Sequence, residues 1–168
     1  LHPSPRVNDF KVKTWIMDSG AFSQIYSTGD HKLSPEEYAA IVLRFSRCGI
    51  LARVVAQDYM CEDEILEKTG RSTRDHQRMT IKKYDELLEV FNKWEVPVPI
   101  LPVLQGYSPE SYQDHIRQYG ARLTQYHWVG VGSICKRNSS VESIMDVIDA
   151  IKEIRPDLRL HGFGIKTT

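Results

Sequence analysis

No Cys-x-x-Cys pair occurs anywhere in the chain, and its three cysteines (Cys48, Cys61 and Cys135) are odd in number. Neither a disulfide framework nor a zinc knuckle is readable from such a set. Free thiols suit a reducing compartment, so a cytoplasmic location is expected. No apolar run approaches the roughly 20 residues that span a bilayer, and no membrane partner is expected. The opening residues, L-H-P-S-P-R-V-N-D-F, hold no apolar signal core and no initiator Met, which leads to the expectation of a fragment or processed chain. An excess of one charge is missing too: 22 Lys and Arg face 22 Asp and Glu. A neutral total leaves no global footprint for a polyanion, although a local basic stripe fits within it. His2, His31, His76, His115 and His127 show no metal-ligand spacing and read as structural or surface residues. There is no repeat, no low-complexity tract and no linker, so residues 1–168 are expected to form one domain.

What the chain does hold is an alternation of strand and helix signals. Five short apolar runs, at 14–17, 51–56, 98–104, 126–131 and 158–163, read as strands. Pro99 and Pro102 delay the third, which is expected to start near Ile100. Four helices lie between the strands. Ser34-Pro35-Glu36-Glu37 is a capping box with proline at the first helical position, followed by Tyr38, Ile41, Val42 and Phe45 on one face. A long helix runs from about Thr73 to Trp94 with Tyr84, Leu87, Leu88 and Phe91 as its stripe. Ser108-Pro109 opens the third, and Ser139 with Glu142 is read as the box that opens the fourth. The stretch from Glu62 to Thr73 reads as polar loop. Strands alternating with helices predict parallel βα units. The fold class is α/β. It is either an open doubly wound sheet or part of a (β/α)₈ TIM barrel, and a whole barrel needs about 250 residues. About five βα units would make an incomplete barrel.

The polar residues gather just past the strands: Asp18-Ser19-Gly20, Gln57-Asp58, Gln105-Gly106, Gly132-Ser133 and Gly162–Lys166. That edge is where parallel α/β folds bind ligands. For any single loop, turn-making explains Asp, Gly and Ser as well as a site does; five such loops in succession favour a site. His161 in an apolar strand reads by itself as a core histidine, the run Glu62-Asp63-Glu64 as a solvated loop, and Cys61 and Cys135 as buried thiols.

Asp18-Ser19-Gly20-Ala21-Phe22, Val103-Leu104-Gln105-Gly106, Val129-Gly130-Val131-Gly132 and His161-Gly162-Phe163-Gly164 resemble, in order and spacing, the strand-end motifs of tRNA-guanine transglycosylases. The fuller strings from Gln57 to Glu62 and from Gly132 to Arg137 look closer to one branch, the DpdA-like transglycosylases of 7-deazapurine DNA modification. The resemblance implies a pentosyltransferase on a (β/α)₈ barrel. It would exchange guanine for a 7-deazaguanine such as preQ0, through a covalent glycosyl-enzyme and without a cofactor. Carried over by position, Asp18 would be the general acid/base. Asp58 would accept from N1–H and the exocyclic amine, since a carboxylate is acceptor-only. Gln105 would meet the base carbonyl, helped by a backbone N–H near Gly132 and Ser133. Phe22 and His161, with Gly162, would enclose the base faces. Lys136 and Arg137 would contact the nucleic acid.

The chain also departs from that pattern. Ala21 replaces a glycine and His161 a methionine. The nucleophilic Asp and the zinc-binding cysteines of the tRNA enzymes would lie past Thr168, so residues 1–168 alone are expected to lack full transferase activity, and zinc is not supported. DNA is the expected polymer, with tRNA as the alternative. A non-catalytic purine- or nucleic-acid-binding fragment is the third reading. Unpaired edge strands would favour a homo-oligomer.

Overall fold

A computed structural model describes residues 13–137 and 140–165, except for the side chain of Lys136. The elements run β1 (Thr14–Met17), α1 (Ala21–Thr28), α2 (Pro35–Phe45), β2 (Ile50–Val55), α3 (Asp63–Thr69), α4 (Thr73–Lys93), β3 (Ile100–Leu101), β4 (Val103–Leu104), α5 (Pro109–Tyr119), β5 (Trp128–Val131), α6 (Val141–Ile154) and β6 (Arg159–Gly162). All strand pairs are parallel, in two three-stranded sheets of order β1-β2-β3 and β4-β5-β6. Among the described residues they do not close into a barrel.

The expected third strand is thus two short ones, and Pro102 is the reason. It has no N–H to give a ladder, and the chain changes partner there. Ala56 N donates to Leu101 O on one side (3.0 Å), and Gly130 N donates to Pro102 O on the other (2.8 Å). Residues 100–104 therefore join the sheets.

Side-chain alternation along the strands makes two apolar layers. Val54, Leu104, Val129 and Val131 face the helices and pack with Val42, Leu87, Ile116, Val147 and Ile151. Val55, Leu101 and Val103 form a separate cluster with Trp128 and Phe163.

Local signals start the helices as expected. Ser34 and Glu37 close their box reciprocally, at 3.2 and 2.8 Å. The Ser108 hydroxyl accepts from Ser111 N (3.3 Å), with Pro109 at the first turn. Ser139 lies outside the described residues. The cap of α6 is Ser140, whose hydroxyl accepts from Ser143 N (3.1 Å), so the expected Ser139–Glu142 box does not open this helix. Two helices fall where loops were expected. In α1 only Ala21 and Ile25 are buried, and in α3 only Ile65. Elements so short leave no periodic stripe to read.

Candidate functional site

Past the C-terminal ends of the strands lies a pocket of about 170 Å³ whose polar wall is Asp18, Asp58, Glu62, Gln105 and Ser133. A larger pocket of about 240 Å³ flanks the other side of Asp18, but Asp58, Gln105 and Ser133 are absent from its wall. The smaller one concentrates the chemistry.

Three side chains from three strand ends form one hydrogen-bonded row. Gln105 Nε2 donates to Asp58 Oδ2, and Ser133 Oγ donates to Gln105 Oε1 at 2.8 Å. At one end, Ser19 Oγ reaches Asp58 Oδ1 at 3.4 Å. At the other, Cys61 N donates to Ser133 Oγ at 3.1 Å. All five residues are buried. Burial pushes the Asp58 carboxyl up to about 7. The Gln105 bond opposes this shift, and the charges of Asp18 and Glu62 add to it. A buried carboxyl facing a cleft with its proton affinity tuned to neutrality marks functional sites more often than structural ones.

A second layer holds the row in place. Gln105 N donates to His115 Nδ1 at 2.8 Å, and Gln77 Nε2 donates to Gln105 O at 2.8 Å. Burial lowers His115 to about 3, so the ring is neutral. Nδ1 is its acceptor, and Nε2–H faces Gln77 O at 3.2 Å. His31 Nε2 and His76 Nδ1 bond the carbonyls of Asp58 and Met60, at 2.9 and 2.6 Å, and pin the loop that carries Asp58. All three histidines hold backbone groups in place.

Gly132 serves the row by what it lacks. A Cβ there would stand 2.2 Å from Gln105 Nε2 and 2.6 Å from its Cδ. The carboxamide lies flat on the glycine and cannot step aside without breaking its bonds to Asp58 and Ser133. Gly132→Ala is expected to destabilise the fold by about 1–3 kcal/mol and to weaken any ligand held by Gln105. Chemical denaturation together with ligand titration checks both.

The other expected site residues are placed as follows. Asp18 is exposed at the pocket mouth, its Oδ1 accepting from Gly20 N at 3.3 Å. Phe22 is half-exposed, lines the pocket and stacks on Tyr26 with 5.8 Å between ring centres. The Gly132 N–H does not reach into the pocket, because it donates to Leu104 O at 2.9 Å as part of the ladder. The next residue, Ser133, turns the chain at φ 55°. His161 and Gly162 stay out of the pocket wall. His161 pairs with Gly130 in β6 and meets Phe163 edge to face at 5.1 Å, and it is Phe163 that lines the pocket. Phe163 follows the end of β6, and Gly130 leaves the space that its ring occupies. Arg137 does not line the pocket either. It donates to Tyr107 O and to Ser143 Oγ and lies over the Tyr107 ring, joining two loops. The Lys136 side chain and Lys166 lie outside the described residues.

Sequence reasoning missed Glu62, Met60, Cys135 and Phe163. Glu62 is buried at the start of α3 rather than solvated, and Cys135 is exposed rather than buried. Cys61 is buried, and burial holds its thiol far above the range of a reactive cysteine. No group of three His, Cys, Asp or Glu among the described residues could hold a metal ion. No helix among them is long and apolar enough to cross a membrane.

The pocket wall brings together carboxyl acceptors, an amide and two phenylalanine rings, groups of the kind that bind a heterocyclic base. No curated protein matches the chain. The model of the DpdA family, DeoxyPurine in DNA protein A, matches residues 7–168, and the chain belongs to that family.

Proposed function

We propose that this pocket binds a guanine-type base and that the chain is the base-reading part of a transglycosylase acting on DNA. The observation that carries the reading is the Asp58–Gln105–Ser133 row. Guanine presents two donors, N1–H and the 2-amino group, beside one acceptor, O6. Asp58 supplies the acceptors, and the second N–H of Gln105 supplies a donor. Phe22 and Phe163 line the same pocket and are the rings on which an extruded base would stack in this reading. Family membership supports DNA over tRNA as the polymer.

The reaction in this reading is base exchange at C1′. A carboxylate takes C1′ as the bond to N9 breaks, and guanine leaves with that electron pair and takes up one proton. The N9 of a 7-deazaguanine then attacks C1′, loses one proton and frees the carboxylate. In this reading Asp18, which lines the pocket, moves these protons. The carboxylate nucleophile is assigned to no residue of this chain.

The fold reading belongs to the same proposal: the sheets are an arc of a (β/α)₈ barrel. Its support is the strand order, which follows the sequence without the reversal of a doubly wound sheet. The apolar cluster around Leu101, on the face away from the helices, matches a barrel interior.

Calorimetric titration with guanine and adenine tests the base assignment. Adenine has no N1–H and carries an amine in place of O6. Guanine is expected to bind at least about tenfold more tightly, the worth of one well-made hydrogen bond. Equal affinity, or no binding of either base, contradicts the reading.

A further inference from the structure

The base pocket offers nothing to the phosphates of a nucleic acid. Its wall holds three carboxyls and, among the described residues, no Lys, Arg or His, whereas a polyanion is held by cations. Arg137, expected to meet the nucleic acid, is taken up by Tyr107 O, Ser143 Oγ and the Tyr107 ring. The opposite charge gathers behind the site. An open groove of about 340 Å³ between α4 and α5 is lined by Arg74, Arg78, Ile81, Gln118 and Arg122, with no carboxyl in its wall among the described residues. Arg74 and Arg78 are both exposed and stand four residues apart on α4, so they share a face. No hydrogen bond or salt bridge among the described residues takes up either guanidinium. Asp75, which feels the charge of Arg78, has its Oδ2 on Ser72 N and Oγ, at 3.1 and 2.6 Å. Arg122 is fixed by Asp85 through two bonds, at 2.7 and 2.8 Å. The two α4 arginines therefore carry the free charge of the groove. One unpaired surface arginine is ordinary; two on one face, in a groove with a third and without an acid, make a site for an oxyanion.

The groove is tied to the row by hydrogen bonds. His76 and Gln77 lie in the same turns of α4 as the two arginines, and they bond Met60 O and Gln105 O at 2.6 and 2.8 Å. Gln118, in the groove wall, donates to Gln77 Oε1 at 2.6 Å. The arginines thus sit across a single helix from the loops that carry Asp58 and Gln105. A helix is about 10–12 Å across, and the major groove of a duplex is about 12 Å wide. Building on the base-binding reading above, we propose that the α4–α5 groove is a contact site for the DNA backbone. Arg74 and Arg78 each take a phosphate of the duplex whose base the row reads. The acidic pocket then receives the neutral base alone, and the charge of the polymer is met outside it.

The test is fluorescence anisotropy of a short labelled DNA duplex titrated with the full chain across a salt series, with guanine titration alongside. Wild type is compared with the double variant Arg74→Gln, Arg78→Gln. A control pair, Arg47→Gln with Arg159→Gln, removes the same charge from exposed positions at the other end of the strands, before β2 and at the start of β6. The α4 variant is expected to bind the duplex at least about tenfold more weakly in about 0.1 M salt, with a slope of log affinity against log salt shallower by about two. Its guanine affinity should stay within about twofold of wild type, and a melting temperature equal to that of wild type shows that it is folded. The control pair should keep DNA affinity within about twofold. Unchanged DNA affinity and salt slope in the α4 variant overturn the inference. So does an equal loss in the control pair, which makes the effect one of net charge. A wild type that binds guanine but not the duplex overturns it and leaves the base-binding reading intact. A wild type that binds the duplex through these arginines but no guanine overturns the base-binding reading and leaves the groove.

Discussion

Asp58→Asn should weaken guanine binding on the order of 100-fold, about 3 kcal/mol, because the charged acceptor for the N1–H and 2-amino pair is lost. The substitution keeps the shape of the side chain. Its Oδ1 can still accept from Gln105 Nε2, so the row survives while the face offered to the base changes from acceptor to donor. The large effect therefore comes from a mismatch with the ligand and not from collapse of the pocket. Isothermal titration of both proteins at pH 8 measures it. A related pH dependence follows for wild type. With the Asp58 carboxyl held near 7, the ionised acceptor is a minority below that pH, and guanine should bind roughly tenfold more weakly at pH 6 than at pH 8. The Asn variant should show no such slope.

The same substitution should act on stability with the opposite sign. The unfolded chain ionises Asp58 near 3.8, and the folded chain does so near 7. Below pH 4 both states hold the proton, and Asp58 contributes nothing either way. Between the two values the unfolded state loses the proton first, so the folded state loses stability as pH rises. Above 7 the full penalty is in place, up to about 4 kcal/mol for a shift of this size. Asp58→Asn removes the penalty. Its melting temperature should match wild type near pH 4 and exceed it above pH 7 by on the order of 10 °C. Melting curves across that range check the sign. A site that costs the fold stability and serves binding is the usual form of a stability–function conflict.

Much of the architecture was legible because its signals are local. Ser34-Pro35 and Ser108-Pro109 start their helices as they read, and the parallel pattern follows from helices alternating with strands. What escaped is long-range or depends on one residue. Pro102 divides a run that reads as one strand, and nothing in the apolar pattern announces a change of partner. Two helices with one or two buried residues each carry no periodicity. At the site, Asp58, Gln105 and Ser133 were found by their positions after strands, and the structure brings all three together. Glu62 was passed over because an acidic run looks solvated, and only the tertiary fold shows one of its members buried. His161 and Phe163 lie two residues apart with their rings edge to face, so the motif alone could not tell which of them reaches the pocket. A backbone N–H near Gly132 was expected to face a ligand, and the β4–β5 ladder takes that of Gly132 itself; which N–H groups a ladder consumes depends on register, which the sequence does not reveal.

The central claim is that the Asp58–Gln105–Ser133 row reads the edge of a guanine base, and a crystal structure of the chain with guanine tests it most directly. The account predicts the base in the pocket between Phe22 and Phe163. N1 and the 2-amino nitrogen should lie within about 2.7–3.2 Å of the Asp58 carboxyl, and O6 within the same range of Gln105 Nε2. Guanine bound elsewhere, or held in the pocket with another edge towards Asp58, would contradict it.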